Sequence, residues 1–309
     1  MEANKYPGNC TNDYIYEPLG CELLEIRILK IEPSESWLSD ICCHLEHRLL
    51  GQPATSYEAL SYIWDSGMEN TPILVNGRRC VVTANLESFL RHRRHAHCVI
   101  EIWVDAVCIN QRDVAEKSRQ INLMYIIYGF ATNIMVWLGK EDDDSDLAMD
   151  EPSRLGEGSP YNKMHIITGK TLTALHKLLS RTWWSRVWII QEIFWGGAGI
   201  KLEKMRDRCG HKELTWMTLV KAAAKMQSHK DDQRQYFPAL DNIFALESLR
   251  HQLGDMKDVP ADERLVFDTV AQYRNFQATN PKDKIYALLG VTNIVGLSLA
   301  LMWTTRCQW

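Results

Sequence analysis

Hydrophobic and polar positions are ordered most regularly between residues 20 and 140. "LLEIRILKI" (23–31) alternates apolar with charged residues toward its end, the pattern of a half-buried strand. "ICCHLEHRLL" (41–50) fits either a strand pairing with it or a short helix. "YEALSYIW" (57–64) is an apolar run closing on Asp65-Ser66-Gly67, a strand entering a loop. "TPILVNGRRCVV" (71–82) predicts a hairpin turning at Asn76-Gly77. Helical spacing follows in "ANLESFLRHRR" (84–94), and then "CVIEIWVDAVCIN" (98–110) predicts a buried strand with a loop at its carboxyl end. "DVAEKSRQINLMYIIYGFA" (113–131) sets Ile121, Met124, Tyr125 and Tyr128 on one stripe of a helix, and "TNIMVWLG" (132–139) is a further buried strand. Strands alternating with helices imply an α/β fold, a parallel sheet flanked by helices.

Residues 140–160 interrupt this order with eight acidic residues among Gly, Ser and Pro, and are expected to be a solvated loop. They lack the glycine-centred spacing of a calcium loop. "TLTALHKLLSRTWWSRVWIIQEIFW" (171–195) then predicts a helix, a turn at Trp183-Trp184, and a second helix, with Trp183 and Trp184 expected in the core rather than stacking on a ligand. Beyond residue 200 the pattern is mainly helical (215–228, 239–253, 262–278), and "NPKDKIYALLG" (280–290) comes last. The expected organisation is a lead-in with a strand pair (1–54), an α/β domain (55–200) and a mainly helical extension (201–309).

Composition narrows the function classes. Hydrophobic residues are 46% and charged residues 24% of the chain, with a net charge of −4, so no global basic footprint for nucleic acid exists. The nine cysteines form no C-x-x-C pair; read as free thiols, they imply a reducing, cytoplasmic setting and no structural metal. The amino terminus lacks a signal pattern, and the apolar run Ile294–Trp303 is too short to span a membrane.

Chemistry is expected beyond the carboxyl ends of the strands, where loops and helix starts converge. Those ends carry Ser61, Tyr62 and Trp64, then Asp105, Cys108, Asn110 and Gln111, then Trp137-Leu138-Gly139. From spacing alone, Asp105 and Asn110 more often cap a helix and tie a loop. A lone cysteine such as Cys108 is more often a small hydrophobe than a nucleophile. "RHRRHAH" (91–97) is expected to be a solvated helix end rather than a nucleic-acid or metal patch. Glu192 is the anomaly, a carboxylate inside "SRVWIIQEIFW" (185–195) among Trp188, Ile189, Ile190, Ile193, Phe194 and Trp195.

Four ordered motifs, "YEALSYIW", "IWVDAVCINQRD" (102–113), "RQINLMYIIYGFATNIMVWLG" (119–139) and "RTWWSRVWIIQE" (181–192), resemble the heterokaryon incompatibility (HET) domain of filamentous fungi. "NPKDKIYALLG" is similar to a motif that often follows it. The match is tight over 57–195 and looser over 20–290. Two departures stand out. Asp65 follows Trp64 where the family usually has glycine. The final "VTNIVGLSLALMWTTRCQW" is unlike family sequence, which usually continues further, so a truncated product or a misread exon boundary is expected.

HET domains in turn resemble Toll/interleukin receptor (TIR) domains, with a flavodoxin-like sheet. By that resemblance Glu192 stands where TIR enzymes carry the glutamate that cleaves NAD at the nicotinamide–ribose bond. Ser61, Tyr62, Trp64, Asp105, Asn110, Gln111 and Trp188 would then shape the nucleotide cleft. The resemblance implies non-self recognition and regulated cell death, NAD as substrate rather than prosthetic group, and no metal. It also implies a homo-oligomer, an incompatibility partner protein, no nucleic acid and no membrane span. The competing readings are a non-enzymatic signalling module and an inactive paralogue. A Glu192 held in an ion pair, with Arg186 or Arg119, would be structural. Arg186 is half a turn out of phase if both sit on one helix, which favours another partner.

Overall fold

The computed structural model describes residues 14–20, 24–52, 56–64, 70–142, 144–156, 169–198, 205–228, 238–254 and 273–289. Two compact units emerge, Met1–Lys140 with Arg208–His211, and Glu141–Asp207 with Lys212–Trp309.

In the first unit the chain forms β1 (Glu25–Ile31), β2 (Cys42–Leu49), β3 (Glu58–Tyr62), β4 (Asn70–Val75), β5 (Arg78–Thr83), α1 (Ala84–Arg93), β6 (Ile100–Trp103), α2 (Asp105–Cys108), α3 (Val114–Phe130) and β7 (Asn133–Trp137). The strands order as β5-β4-β2-β1-β6-β3-β7, and β8 (Met205–Cys209) follows β7. Three strands form the expected parallel core: β3 lies between β6 and β7 and runs parallel to both. The rest of the sheet is mixed, with β1 antiparallel to β2 and β6, and β4 antiparallel to β5. The α/β class therefore holds, with N-terminal strands widening a parallel centre.

Local chemistry explains the element ends. The β4–β5 turn is the expected Asn76-Gly77, at φ 50° and 72°, the left-handed pair that a two-residue hairpin needs. Thr83 caps α1 by accepting from Leu86 N, and Asp113 caps α3 by accepting from Ala115 N and Glu116 N. From α3, the Tyr128 hydroxyl donates to Leu60 O in β3, while Tyr57 donates back to Ile127 O, fixing the helix on the sheet.

Three expectations for this unit need correction. First, β1 is not half-buried: Ile26, Arg27, Ile28 and Leu29 are all buried, and Arg27 finds an internal partner in Glu116. Second, the strand foreseen over 98–110 is only β6, since Asp105–Cys108 coils into α2 once the Asp105 carboxylate accepts from Ala106 N. Third, not every cysteine is a thiol. Cys42, Cys43, Cys98, Cys108 and Cys209 are free, whereas Cys80 is disulfide-bonded. Spacing carries no signal for such a bond, and cysteine usage no longer argues for a reducing compartment.

The second unit contains α4 (Ser145–Gly156), α5 (Gly169–Leu179), a 3-10 turn (Thr182–Ser185), α6 (Trp188–Ala198), β9 (Lys212–Thr215), α7 (Trp216–Ser228), α8 (Pro238–Gly254) and α9 (Asp283–Leu289). Helix α4 packs on α5 and α7, and α6 packs on α8 and α9. Here too the sequence misled. Part of the acidic stretch is α4, because Ala148 and Met149 are buried on one side of the helix while Asp146 stays exposed; Glu151 is buried as well. Strands β8 and β9, joined through Gly210 at φ 54°, were not foreseen. Trp183 and Trp184 are core as expected, edge to face at 4.9 Å, with Trp184 Nε1 donating to Leu178 O. The helix expected over 262–278 lies mostly outside the described residues. Among the described residues no helix is long and apolar enough to cross a membrane.

Candidate functional site

In the first unit the strand ends converge as the sequence suggested. Ser61 and Tyr62 are buried at the end of β3, and Trp64 and Asp105 are half-buried beside them. Trp64 donates its indole N–H to both Asp105 carboxylate oxygens, at 3.0 and 2.9 Å. Gln111 Nε2 donates to Asp105 O at 2.9 Å, and the Asn110 side chain accepts from Arg112 N. Asn110 thus does the loop-tying work that spacing favoured, whereas α2 has no side-chain cap and the Asp105 carboxylate instead accepts from Trp64 and from Ala106 N. Asn85, at the start of α1, joins two strand ends by donating to Ile63 O and accepting from Trp137 Nε1, both at 2.9 Å.

Beneath this cluster lies a charged pair that sequence reasoning missed. Arg27 donates to both oxygens of Glu116, at 2.7 and 3.0 Å, and also to Cys108 O and Glu17 O. Glu116 accepts a further bond from Asn110 N at 2.7 Å, so the buried pair fixes both ends of the 108–110 segment, Arg27 at Cys108 O and Glu116 at Asn110 N. The Arg27 guanidinium lies 4.9 Å over the Tyr16 ring, whose hydroxyl donates to Val107 O. One signal was available: Asp113 and Glu116 stand at the spacing of a capping box. Cys108, fully buried on α2 rather than on a strand, has its thiol pushed up to about 12 by desolvation, only partly offset by the bond from Val104 N. A protonated, enclosed thiol is no nucleophile.

In the second unit Glu192 is 2% exposed on α6, with Val187, Ile189, Ile190 and Ile193 buried along the same segment. One partner is Arg186, with Nη2 3.6 Å from Oε1. The phase argument against that residue fails because Arg186 is not helical. It caps the 3-10 turn at φ −69°, ψ 133° and bridges Gln277, with Val187 N donating to Gln277 O. The alternative partner, Arg119, is exposed on α3. The ion pair is loose. Its length exceeds a hydrogen bond, and the buried Nη1 of Arg186 finds no hydrogen-bond partner among the described residues. Gln191 is buried next to it in sequence, and Trp188 is half-buried. The placement of the Phe194 and Trp195 side chains lies outside the described residues.

The family described as heterokaryon incompatibility protein (HET) matches residues 57–192. Over 322 aligned positions the chain is 26% identical to "Heterokaryon incompatibility protein 6, OR allele" of Neurospora crassa, an alignment covering 86% of this chain and 47% of that protein. The chain thus spans about half the length of the curated relative it matches. No solved structure matches it. The matched segment runs from the buried Tyr57 that anchors α3 on the sheet to the buried Glu192 of α6, and over that segment the chain is similar to the heterokaryon incompatibility (HET) family.

Proposed function

We propose that this chain acts in fungal heterokaryon incompatibility, in non-self recognition that ends in regulated cell death, and that its chemistry is cleavage of NAD at the nicotinamide–ribose bond. The match to the HET family and to an incompatibility protein supports the first part. One observation carries the second: Glu192 places a carboxylate in a buried segment whose neighbours Ile189, Ile190 and Ile193 are apolar and buried.

The chemistry asks for little else. Nicotinamide is bound as a cationic pyridinium. When the N–C1′ bond breaks, the electron pair moves onto nicotinamide, which leaves neutral, so no general acid is needed. Positive charge then develops on the ribose ring, where a nearby carboxylate stabilises it far more strongly in a dry site than in water. Water adds at C1′ and releases a proton, giving ADP-ribose.

A second reading rests on the ion pair of Glu192 with Arg186. If Arg186 and Glu192 serve only to tie the turn to the helix, the domain signals by oligomerising and recruiting partners, without an enzyme. Nicotinamide release from NAD by the purified chain, free and fused to a dimerising tag, separates the two. The hydrolase reading expects release that falls at least a hundredfold in Glu192→Gln, with the variant still folded by circular dichroism. Equal release from wild type and variant overturns the role of Glu192, and no release in either form leaves the signalling reading.

A further inference from the structure

The chemistry assigned to Glu192 leaves its neighbour in sequence unused. Gln191 is 3% exposed, and its side-chain Oε1 finds no hydrogen-bond partner among the described residues. Buried polar side chains nearly always find one, so this amide needs an explanation. Arg186 presents the complementary case, a buried Nη1 donor also without a partner among the described residues. Both belong to the second unit, where Arg186 Nη2 lies 3.6 Å from the Glu192 carboxylate. We propose that Gln191 and Arg186 form a specificity subsite for a primary carboxamide, the group that a nicotinamide ring carries.

The hydrogen-bonding inventory selects that ligand. A guanidinium can only donate, and the glutamine oxygen can only accept. A primary carboxamide answers both, its carbonyl accepting from Arg186 Nη1 and its N–H donating to Gln191 Oε1. A carboxylate would satisfy the arginine but has no proton for the glutamine, so two acceptor oxygens would face each other. A ketone lacks the N–H as well. Gln191 is therefore the residue that separates an amide from an acid, because a site built to accept an N–H rejects the analogue without it.

The local fold holds these groups in place. Gln191 lies on α6 with Ile189, Ile190 and Ile193 buried along the same segment. Trp188 precedes Gln191 by three residues and Glu192 by four, the spacings that make neighbours on a helix surface. It is half-buried, so its indole offers a flat ring a stacking face beside the polar groups. Arg186 is anchored by backbone: its N–H donates to Trp183 O, and the next N–H, of Val187, donates to Gln277 O. The carboxamide assignment rests on the NAD reading, in which Glu192 serves the ribose and this subsite holds the departing ring.

The test compares the full chain with Gln191→Met, of similar shape but without the amide. Ligand-observed NMR titration should show nicotinamide binding at least tenfold more tightly than nicotinic acid, and Gln191→Met should lose that preference. With NAD and its 3-acetylpyridine analogue, which keeps the carbonyl but lacks the N–H, wild type should favour NAD at least tenfold in kcat/KM and the variant should not. The urea midpoint of Gln191→Met should equal or exceed that of wild type, since the substitution removes a buried polar group without a partner. Binding preference set by Gln191 while no form cleaves NAD supports the subsite and sinks the hydrolase reading. Cleavage of NAD with both preferences unchanged in Gln191→Met overturns the subsite and spares the hydrolase. Absence of nicotinamide binding to wild type, or a variant less stable than wild type, also overturns the subsite.

Discussion

Replacing Arg27 with methionine should be among the most destructive single changes in the first unit. Arg27 and Glu116 are 1% and 3% exposed at their side chains, and the guanidinium donates four hydrogen bonds: two to Glu116, one to Cys108 O and one to Glu17 O. Removing one partner of a buried pair costs about 3–5 kcal/mol, because the other charge stays enclosed without compensation. Arg27→Met leaves Glu116 accepting from Asn110 N, and leaves the carbonyls of Cys108 and Glu17 without that donor. The double variant Arg27→Met/Glu116→Leu removes both charges and should cost about 1–3 kcal/mol, the penalty of the stranded carbonyls. Urea denaturation of the full chain measures both values, and hydrogen exchange at the 105–111 amides locates the loss. A single variant costing less than about 1 kcal/mol, or a double variant as damaged as the single, would refute the view that this pair holds the strand-end loop.

Two further predictions concern titration. Cys98 is exposed while Cys108 is enclosed with its thiol held near 12, so iodoacetamide at pH 8 should label Cys98 in the folded chain and spare Cys108 until urea is added. Peptide mass spectrometry reads both. Asp207 is buried, its carboxylate oxygens find no hydrogen-bond partner among the described residues, and desolvation raises it to about 8, with Glu213 adding to the shift. Because the folded state holds that proton more tightly than the unfolded chain, the stabilising contribution is complete below about pH 4 and is lost as pH rises to about 8. The loss is at most about 1.4 kcal/mol per pH unit. Asp207→Asn should flatten the pH dependence of melting across that window, and an unchanged slope would contradict the assignment.

How far the sequence carried depended on whether a signal was local. The β4–β5 hairpin was readable because Asn-Gly adopts the turn that two-residue connections require, and α3 because its buried stripe repeats at helical spacing. Trp183 and Trp184 were readable as core from bulk alone. What escaped depends on contacts distant in sequence. Arg27 looked like the polar face of a strand, and only Glu116, on a helix much later in the chain, makes its burial possible. Helix α4 hid beneath its acidic residues, since composition speaks of solvent and not of the few apolar side chains that seat one face. Glu192 was conspicuous from the start, a charge in an apolar run. Its partner was misjudged because helical phase was applied to Arg186, which lies in an extended turn bridged to Gln277.

The central claim is that Glu192 does chemistry rather than bracing. It is tested most directly by expressing the full chain and its Glu192→Gln variant at equal levels in a filamentous fungus, measuring viability and total NAD in the same cells. NAD falling before viability in the wild type, with both preserved in the variant, is the predicted result. Death at the same rate in both strains while NAD stays constant would contradict it.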